Sequence, residues 1–428
     1  MSVWTVEPAS TITGRLKVPG DKSISHRALI FSALSHGQSN LHGLLEARDV
    51  QATASCLKRL GVGIHKVAGT WRVTGRDGAL SEPDDVLDCG NSGTTMRLLT
   101  GVLASQPFFS VLTGDVHLRN RPMARVTKPL SAMGAHFRGR SKGSLAPIAI
   151  TGGSLNVLDY TSPVASAQVK SALMLATLGT SGTLRYREPF RSRDHTERML
   201  GWLGVYVSEE EDGELVLNGG QRLIARDIHV PADISSAAFF MVAASIIPGS
   251  DLVLEGVGVN PTRTGVIDVL RDMGASIELV EESEVSGEPV ADIRVKYVGL
   301  KGTQIGGAMI PRLLDELPVL AVAAAFAEGQ TIISDAKELR VKESDRIHAT
   351  VLGLKAMGVN ADEREDGMVI NGGLVRGGKV FSQGDHRISM AFAVAAMGAQ
   401  TSSKIMDTEN VATSYPNFRK DLKYVAGQ

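Results

Sequence analysis

Long apolar helices that begin with Ser, Thr, Asn or Asp recur along the chain at a nearly constant spacing. In each case a turn containing Gly, Pro or Asp precedes a polar helix start, an apolar helix follows, and a Gly then introduces a strand. The intervals between successive helix starts are 71, 70, 71, 78 and 74 residues. A period this regular predicts six copies of one structural unit. The predicted helix starts lie near Asp21, Ser92, Ser162, Asp233, Pro311 and Asp385.

A second type of helix alternates with the first and ends at a Gly that lies between two apolar residues. The clearest examples are residues 52–61, 125–134 and 264–274. Gly is the expected residue there, because it adopts the left-handed conformation after the last helical turn without a steric penalty. Strands between the helices alternate apolar and polar residues, as in 14–18 and 293–298. Each unit is therefore predicted to hold two helices and about four strands.

The six units predict an α/β protein with two lobes. A chain of 428 residues exceeds what one hydrophobic core usually holds, and three units per lobe is the natural division. We expect residues 20–230 to form one lobe. Residues 1–19 and 231–428 would form the other, with the first strand pairing back into it. The chain would then cross between the lobes near Gly20 and near Pro231, and two crossings favour a hinge.

Charge and cysteine content exclude several classes of protein. The formal net charge is −1, so the chain has no overall basic field for nucleic acid. Cys56 and Cys89 are the only cysteines, and no CxxC or His/Cys cluster has the spacing of metal ligands, so we predict a reducing compartment and no metal. The first residues do not resemble a signal peptide, and the apolar runs are too short to cross a bilayer. We therefore expect a cytoplasmic protein that binds neither nucleic acid nor membrane.

Basic residues accompany the polar caps at four of the helix starts. A helix N-terminus offers unpaired N–H groups and a partial positive charge, and nearby hydroxyl and cationic side chains make it a binding site for anions. N-capping alone explains one polar residue per start, but not the recurring cations. We therefore predict several anion-binding helix starts. They lie at residues 21–27, 91–97, 166–170 and 385–387.

A second group of charged residues lies in the C-terminal half. Residues 342–346 (KESDR) place both signs of charge in a short segment, and an isolated run of this kind is more often a solvated turn. Asp315 and Glu316 fall inside residues 313–325, which the apolar pattern predicts to be one helix. A carboxylate there must be paired or functional, because burying it alone is costly. No GxGxxG follows a strand and opens a helix, so a nicotinamide cofactor is not expected.

Together with their neighbours, these residues make the chain resemble the 5-enolpyruvylshikimate-3-phosphate (EPSP) synthase family. Residues 193–197 (RDHTE) and 260–263 (NPTR) further resemble the second subclass of the family, which is associated with glyphosate tolerance. The segments that match the family as a whole lie in its order along nearly the entire chain. They are 19–27 (PGDKSISHR), 90–94 (GNSGT), 121–123 (RPM), 166–171 (SAQVKS), 315–318 (DELP), 342–346 (KESDR) and 385–387 (DHR).

This resemblance implies a fold and a reaction. The family's fold is an inside-out α/β barrel, in which each of two similar lobes holds three βαβαββ units. Its reaction moves the enolpyruvyl group of phosphoenolpyruvate onto the 5-hydroxyl of shikimate 3-phosphate, through a tetrahedral intermediate that then loses phosphate. This step belongs to the shikimate pathway of aromatic amino acid biosynthesis. The resemblance further implies a monomer with no metal or organic cofactor, and glyphosate binding in the phosphoenolpyruvate pocket.

The resemblance also assigns roles to residues. Asp315 is the expected base at the 5-hydroxyl, and Glu343 and Lys22 are both candidates for the acid at the methylene carbon. For phosphoenolpyruvate it implies contacts from Lys22, Gly93, Arg121, Gln168, Arg346 and Arg387. For shikimate 3-phosphate it implies contacts from Lys22, Ser23, Arg27, Thr94, Ser166, Ala167, Gln168, Arg193, Asp315 and Lys342.

The chain departs from the family pattern at three positions. Many members carry a Lys just before the C-terminal aromatic-Pro step, where this chain has Thr413, so one phosphate contact would be missing or supplied elsewhere. Ala167 replaces a Ser of the first subclass. Gly93 is the small residue of glyphosate-sensitive relatives, although other motifs resemble the tolerant subclass, and a Cβ there would crowd the phosphoenolpyruvate pocket.

Three other functions are compatible with parts of this pattern. The sister enzyme that transfers enolpyruvate to UDP-N-acetylglucosamine usually has a Cys in the loop before the Arg-Pro step, and residues 114–120 contain none. A non-catalytic metabolite-binding relative would have lost Asp315, Lys22 and Glu343, which are all present. RNA 3′-end chemistry, known from related folding units, is disfavoured by the near-neutral charge.

Overall fold

The structure, a computed structural model, describes residues 2–428 and divides into two compact units. Unit 1 contains the residues up to Asp21 together with Pro231–Glu284 and Pro289–Gln428, and unit 2 contains Lys22–Val230 and Val285–Glu288. The boundary falls after Asp21, so Gly20 and Asp21 lie in unit 1. The Asp21 N–H donates to the Pro231 carbonyl over 2.8 Å, which ties this segment to the residues that follow position 230.

Unit 2 contains seven helices and twelve of the strands, in which helices and short strands alternate. Its strands are β3 (Gln38–His42), β4 (Gly63–Val67), β5 (Thr70–Thr74), β6 (Leu87–Asp88), β7 (Phe109–Thr113), β8 (His136–Gly139), β9 (Leu145–Thr151), β10 (Asp159–Thr161), β11 (Thr183–Arg187), β12 (Val207–Glu209), β13 (Leu215–Asn218) and β14 (Ile228–His229). Its helices are α1 (Lys22–Leu34), α2 (Arg48–Arg59), α3 (Gly93–Ala104), α4 (Ala124–Ala132), α5 (Arg140–Gly143), α6 (Ala167–Leu178) and α7 (His195–Trp202), with a 3-10 helix at Leu118–Asn120.

Unit 1 repeats this alternation. Its strands are β1 (Val3–Val6), β2 (Thr13–Leu16), β15 (Asp251–Gly258), β16 (Ser276–Val285), β17 (Glu288–Lys296), β18 (Gln304–Ile305), β19 (Gln330–Ile333), β20 (Asn360–Arg364), β21 (Gly367–Asn371), β22 (Lys379–Phe381) and β23 (Ser403–Met406). Its helices are α8 (Ile234–Ile246), α9 (Gly265–Asp272), α10 (Ile310–Leu313), α11 (Leu317–Ala325), α12 (Arg346–Ala356), α13 (His386–Gly398) and α14 (Phe418–Val425), with 3-10 helices at Gly307–Met309, Lys337–Val341 and Thr408–Thr413.

The strands form six small sheets, three in each unit. Five sheets have four strands and one has three, and every sheet contains one parallel pair. In four sheets the parallel pair joins consecutive strands separated by helices, as β6 and β7 are separated by α3. In the other two sheets it joins strands far apart in the sequence, β2 with β15 and β3 with β14. The six predicted units and the α/β class are confirmed.

Six helices form the centres of the two units. All thirteen residues of α8 and all nine of α11 are buried, and α1, α3, α6 and α13 are buried on almost every side. A helix that is apolar all round can be stable only inside a core. Each unit has its own continuous apolar core around three of these helices. No helix within residues 2–428 is both long and apolar enough to cross a membrane.

The prediction of one helix over residues 313–325 is wrong. The structure ends α10 at Leu313 and begins α11 at Leu317, and Asp315 and Glu316 lie in the turn between them. Pro318 explains the break, because its ring has no N–H to donate and would collide with the carbonyl of Leu314 in a continuous helix. Asp315 therefore stands at a helix start rather than on a helix side.

Two segments at the boundary of unit 1 run side by side. The Asp233 N–H donates to the Pro19 carbonyl over 2.8 Å, and Gly20 forms an antiparallel bridge with Ala232. The chain leaves unit 1 after Asp21 and re-enters it at Pro231. The point of exit and the point of return are therefore hydrogen-bonded to each other.

We predict that Gly101→Ala destabilises the protein. An added Cβ on this α3 residue would lie 2.2 Å from the Ala172 carbonyl oxygen on α6, so two core helices would have to separate. We expect a loss of about 1–3 kcal/mol in the free energy of unfolding, measured by urea titration. Gly201→Ala on α7 is the matched control, because nothing lies within 4 Å of its added Cβ. It should be neutral or stabilising by up to about 1 kcal/mol, and equal effects of the two changes would contradict the packing argument.

Candidate active site

The start of α1 presents a lysine and a firmly held arginine in unit 2. Lys22 lies at the first position of the helix, and its Nζ is 3.3 Å from Asp49 Oδ2 on α2. The guanidinium of Arg27 is buried, and it donates to Thr196 Oγ1 over 2.8 Å and to Ser171 Oγ over 2.7 Å. Both acceptors are neutral hydroxyl groups, so the positive charge of Arg27 is not cancelled by them.

The start of α3 brings two arginines against a glycine. Ser92 caps the helix by accepting from the Thr95 N–H, and Gly93 is the first helical residue. A Cβ built on Gly93 would lie 2.8 Å from Arg97 Nη1 and 3.0 Å from Arg121 Nη1. Both guanidinium groups therefore lie against the glycine and the free N–H groups of the helix start, which is a favourable arrangement for an anion.

The start of α6 supplies an amide whose orientation is fixed. Ser166 caps this helix, and Ala167 and Gln168 form its first turn. Arg97 Nη1 donates to Gln168 Oε1 over 2.8 Å, and Gln168 Nε2 donates to Thr94 Oγ1 over 3.1 Å. The structure therefore joins the starts of α3 and α6 by direct hydrogen bonds.

In unit 1, the Asp315 carboxylate lies among three cations. Its oxygens are 3.2 Å from Arg346 Nη1, 3.8 Å from Lys342 Nζ and 3.9 Å from Arg387 Nη2. Arg387 Nη1 also donates to the Asp315 carbonyl over 3.1 Å. Burial lowers the pKa of the Lys342 ammonium, and the nearby Asp315 carboxylate opposes this shift.

Arg346 is the centre of this group, with only 1% of its side chain exposed. Its Nε donates to Asp385 Oδ2 over 2.8 Å and its Nη2 donates to Glu343 Oε2 over 2.6 Å. Burial alone would lower the pKa of the guanidinium, but Asp385, Glu343 and Asp315 raise it. The alternative of a solvated turn at residues 342–346 is therefore excluded for Arg346.

Unit 1 also contains a buried cluster around Arg263 that sequence reasoning did not identify as a site. Arg263 Nη1 lies 3.3 Å from Asp21 Oδ2, and its Nη2 lies 3.7 Å from Asp233 Oδ1. The same Nη2 lies 3.6 Å from Glu316 Oε1, and Ser235 donates a short hydrogen bond to that oxygen. Burial, and next the negative charge of Asp21, raise the pKa of Asp233 to about 7. The sequence analysis had identified Glu316 as a carboxylate that must be paired or functional, and the NPTR segment contains Arg263, but neither signal showed that these two residues contact each other.

The structure places ten of the predicted site residues in unit 2 and five in unit 1. The unit 1 residues are Asp315, Lys342, Glu343, Arg346 and Arg387; the unit 2 residues are Lys22, Ser23, Arg27, Gly93, Thr94, Arg121, Ser166, Ala167, Gln168 and Arg193.

Thr413, where many relatives have Lys, is buried, and its hydroxyl donates to the Asn410 carbonyl over 2.6 Å. Within residues 2–428, no group of three or more His, Cys, Asp or Glu side chains is arranged to hold a metal ion.

Comparisons with known proteins agree along nearly the whole chain. The family model described as EPSP synthase (3-phosphoshikimate 1-carboxyvinyltransferase) matches residues 6–422. The chain is 55% identical to the 3-phosphoshikimate 1-carboxyvinyltransferase of Syntrophotalea carbinolica over 96% of both chains. It is 53% identical to the Geobacter metallireducens protein of the same name over 100% of both chains.

Solved structures show the same likeness. The chain superposes on EPSP synthase from Acinetobacter baumannii with a TM-score of 0.89 at 44% identity, over 99% of this chain and 98% of that one. It also matches the enolpyruvyl transferase NikO from Streptomyces tendae with a TM-score of 0.79 at 16% identity, over 99% of this chain and 97% of that one. The second match, at this low identity, shows a shared fold alone.

We predict that Asp233→Asn changes how stability depends on pH. An unfolded aspartate has a pKa of about 3.9, and the folded value is raised to about 7. The folded state therefore holds a proton that the unfolded state has lost, and Asp233 makes the protein less stable as pH rises from about 4 to 7. The side-chain amide introduced by Asp233→Asn keeps an oxygen that can accept from the Ser235 N–H, but it does not titrate.

Urea unfolding at several pH values measures this effect. The variant should gain stability relative to the parent protein between pH values of about 4.5 and 7.5. Asp251→Asn is the control. Arg294 lowers the pKa of Asp251 in the folded protein, so this carboxylate is ionised in both the folded and the unfolded protein over most of this pH range. A difference between the Asp233 variant and the parent that does not change with pH would contradict the prediction.

Proposed function

Because the chain belongs to the EPSP synthase (3-phosphoshikimate 1-carboxyvinyltransferase) family, it transfers the enolpyruvyl group of phosphoenolpyruvate to shikimate 3-phosphate, and we propose that the polar residues described above carry out this reaction. The observation that supports this most directly is the Asp315 carboxylate among Lys342, Arg346 and Arg387. A base next to cations suits a reaction that deprotonates a hydroxyl beside two anionic substrates.

We assign shikimate 3-phosphate mainly to the helix starts of unit 2. Arg27 is buried, and its hydrogen bonds to two hydroxyl groups hold the guanidinium in a fixed position for the phosphate. The first turns of α1 and α6 add free N–H groups and short polar side chains. The proposed ligands are Lys22, Ser23, Arg27, Thr94, Ser166, Ala167, Gln168 and Arg193 from unit 2, with Asp315 and Lys342 from unit 1.

We assign phosphoenolpyruvate to the arginines and to the start of α3. Guanidinium groups grip carboxylates and phosphates through two parallel hydrogen bonds, and three of them suit a ligand that carries both groups. Gly93 leaves the N-terminal N–H groups of α3 open beside Arg121. The proposed ligands are Lys22, Gly93, Arg121, Gln168, Arg346 and Arg387.

In the addition step, Asp315 takes the proton of the 5-hydroxyl while the oxygen of that hydroxyl bonds to C2 of phosphoenolpyruvate. The methylene carbon receives a proton from Glu343 or Lys22, which gives a tetrahedral intermediate with a methyl group. In the elimination step, the methyl group returns a proton to Glu343 or Lys22, the double bond re-forms, the bond from C2 to the phosphate oxygen breaks, and Asp315 gives its proton to the departing phosphate. The arginines stabilise the negative charge on the departing phosphate.

Four finer assignments also belong to this proposal: the subclass, glyphosate binding, the oligomeric state and the location. The RDHTE and NPTR segments support membership of the second subclass, and we propose that glyphosate, an anion like phosphoenolpyruvate, binds beside Gly93. We further propose a monomer, since one chain supplies every residue assigned above. A cytoplasmic location agrees with Cys56 and Cys89, which are both free and buried.

Replacing the proposed base tests the central assignment. Asp315→Asn keeps the shape of the side chain but cannot accept the hydroxyl proton, so we expect kcat to fall by about 10²- to 10⁴-fold with KM values changed only a few-fold. Steady-state phosphate release with both substrates measures this. Asp268→Asn removes another carboxylate from unit 1, paired with Arg312, and should leave kcat unchanged. A large loss of affinity with normal kcat would remove Asp315 from the role of base.

We predict that Gly93→Ala weakens binding in the phosphoenolpyruvate pocket. The added methyl group would require Arg97 and Arg121 to move, and KM for phosphoenolpyruvate should rise by about tenfold while KM for shikimate 3-phosphate changes little. Half-inhibition by glyphosate should need more inhibitor than for the parent protein. Gly153→Ala, where nothing lies within 4 Å of the added Cβ, is the control. Equal rises in both KM values would contradict the assignment of Gly93 to phosphoenolpyruvate.

A further inference from the structure

A lysine with no exposed surface lies in the middle of unit 2, outside the residues assigned to substrate. Lys170 on α6 is 0% exposed, and its Nζ lies 2.6 Å from Glu197 Oε1 and 3.2 Å from Glu188 Oε1. Fully buried lysines are rare, and removing these charges from water is expensive even when they are paired. A contribution to stability alone therefore does not explain why Lys170 is buried with two carboxylates.

The ion pairs of Lys170 with Glu188 and Glu197 link three separate segments of the chain. Lys170 belongs to the first turns of α6, Glu188 follows β11, and Glu197 lies on α7. Two of the sequence segments singled out above, SAQVK and RDHTE, are therefore connected directly by the Lys170–Glu197 ion pair. That connection could not be derived from their positions in the sequence.

On one side, the ion pairs fix the loop that carries Arg193. Lys170 Nζ donates to the Ser192 carbonyl over 3.3 Å. Glu188 Oε1 accepts from both the Ser192 N–H and the Ser192 hydroxyl, each over 2.8 Å. Both backbone polar groups of Ser192 are thus held by this cluster, and Arg193 is the next residue.

On the other side, the residues adjacent to the ion pair hold Arg27. Ser171 follows Lys170 and Thr196 precedes Glu197, and their hydroxyl oxygens lie 2.6 Å apart. Arg27 donates to both. The Lys170–Glu197 pair therefore fixes the spacing of the two acceptors that set the position of the Arg27 guanidinium.

We propose that Lys170 is a positioning residue for shikimate 3-phosphate, which holds α6, α7 and the 188–193 loop together so that Arg27 and Arg193 are already in place when the substrate arrives. This inference rests on the ligands assigned under the proposed function. Without the lysine, Glu188 and Glu197 lose their shared cation and repel each other. Burial already raises the pKa of Glu197, so the cluster has little tolerance for losing positive charge.

The main experiment compares Lys170→Met with the parent protein, by calorimetric titration with shikimate 3-phosphate and by steady-state kinetics. We expect Kd and KM for shikimate 3-phosphate to rise together by about tenfold to a hundredfold. KM for phosphoenolpyruvate and kcat at saturating shikimate 3-phosphate should change by less than about threefold, because no group at the reacting atoms is lost. Lys170→Arg, which keeps the charge, should recover most of the affinity.

Arg185→Met is the matched control. Arg185 also pairs with a buried carboxylate of unit 2, Glu214, over 2.6 Å, but it contacts none of the proposed ligands. It should leave the Kd for shikimate 3-phosphate unchanged even if it lowers the urea midpoint. A merely structural role for Lys170 would make Lys170→Met less stable with unchanged affinity, and a folded Lys170→Met protein with parental Kd overturns the proposal.

A second variant keeps the proposal testable if Lys170→Met does not fold. Glu188→Gln retains an oxygen that can accept from Ser192 but removes the negative charge that pairs with Lys170. The fold should survive this change, and the Kd for shikimate 3-phosphate should rise several-fold. A parental Kd in this variant also overturns the proposal. If the parent protein itself fails to bind shikimate 3-phosphate, the proposed function is wrong, and that result is distinct from a variant that binds as the parent does.

Discussion

The burial of cationic side chains next to helix starts is the constraint on which the two sets of site residues depend. A guanidinium or ammonium group removed from water must find several acceptors at once, or the fold pays a large desolvation penalty. Arg27, Arg97, Arg263 and Arg346 are all buried, and each draws on acceptors from other segments of the chain. The positions of the helix starts are therefore fixed by the same contacts that make them useful for binding anions.

The buried arginines of the two units have different acceptors, although the buried Lys170 of unit 2 also lies between carboxylates. In unit 2, Arg27 donates to hydroxyl and carbonyl oxygens, and Arg97 donates to amide and carbonyl oxygens. In unit 1, Arg263 and Arg346 lie among carboxylates, which balance the charge. Neutral acceptors favour the binding of anions, whereas carboxylates in contact with cations supply groups that can accept and return protons.

Much of the fold could be predicted from the sequence, because capping and periodicity are local properties. Ser92, Asp233 and Asp385 are N-caps where the pattern placed helix starts, and the six units follow from the spacing. The break at Asp315 was missed because the apolar pattern outweighed the effect of Pro318. The contacts of Arg263 and Lys170 could not be predicted, since their partners lie in other segments and depend on tertiary packing. The roles of the site residues came from the family resemblance rather than from periodicity.

The antiparallel pairing of residues 19–21 with 231–233 closes residues 22–230, which form nearly all of unit 2, into a long insertion within unit 1. The two ends of the insertion are held adjacent by backbone hydrogen bonds that belong wholly to the host. Closing such an insertion costs little additional chain entropy as its length grows. Unit 1 can therefore keep its own register while the inserted sequence diverges, and a short linker across residues 21 and 231 is the natural way to express the host alone.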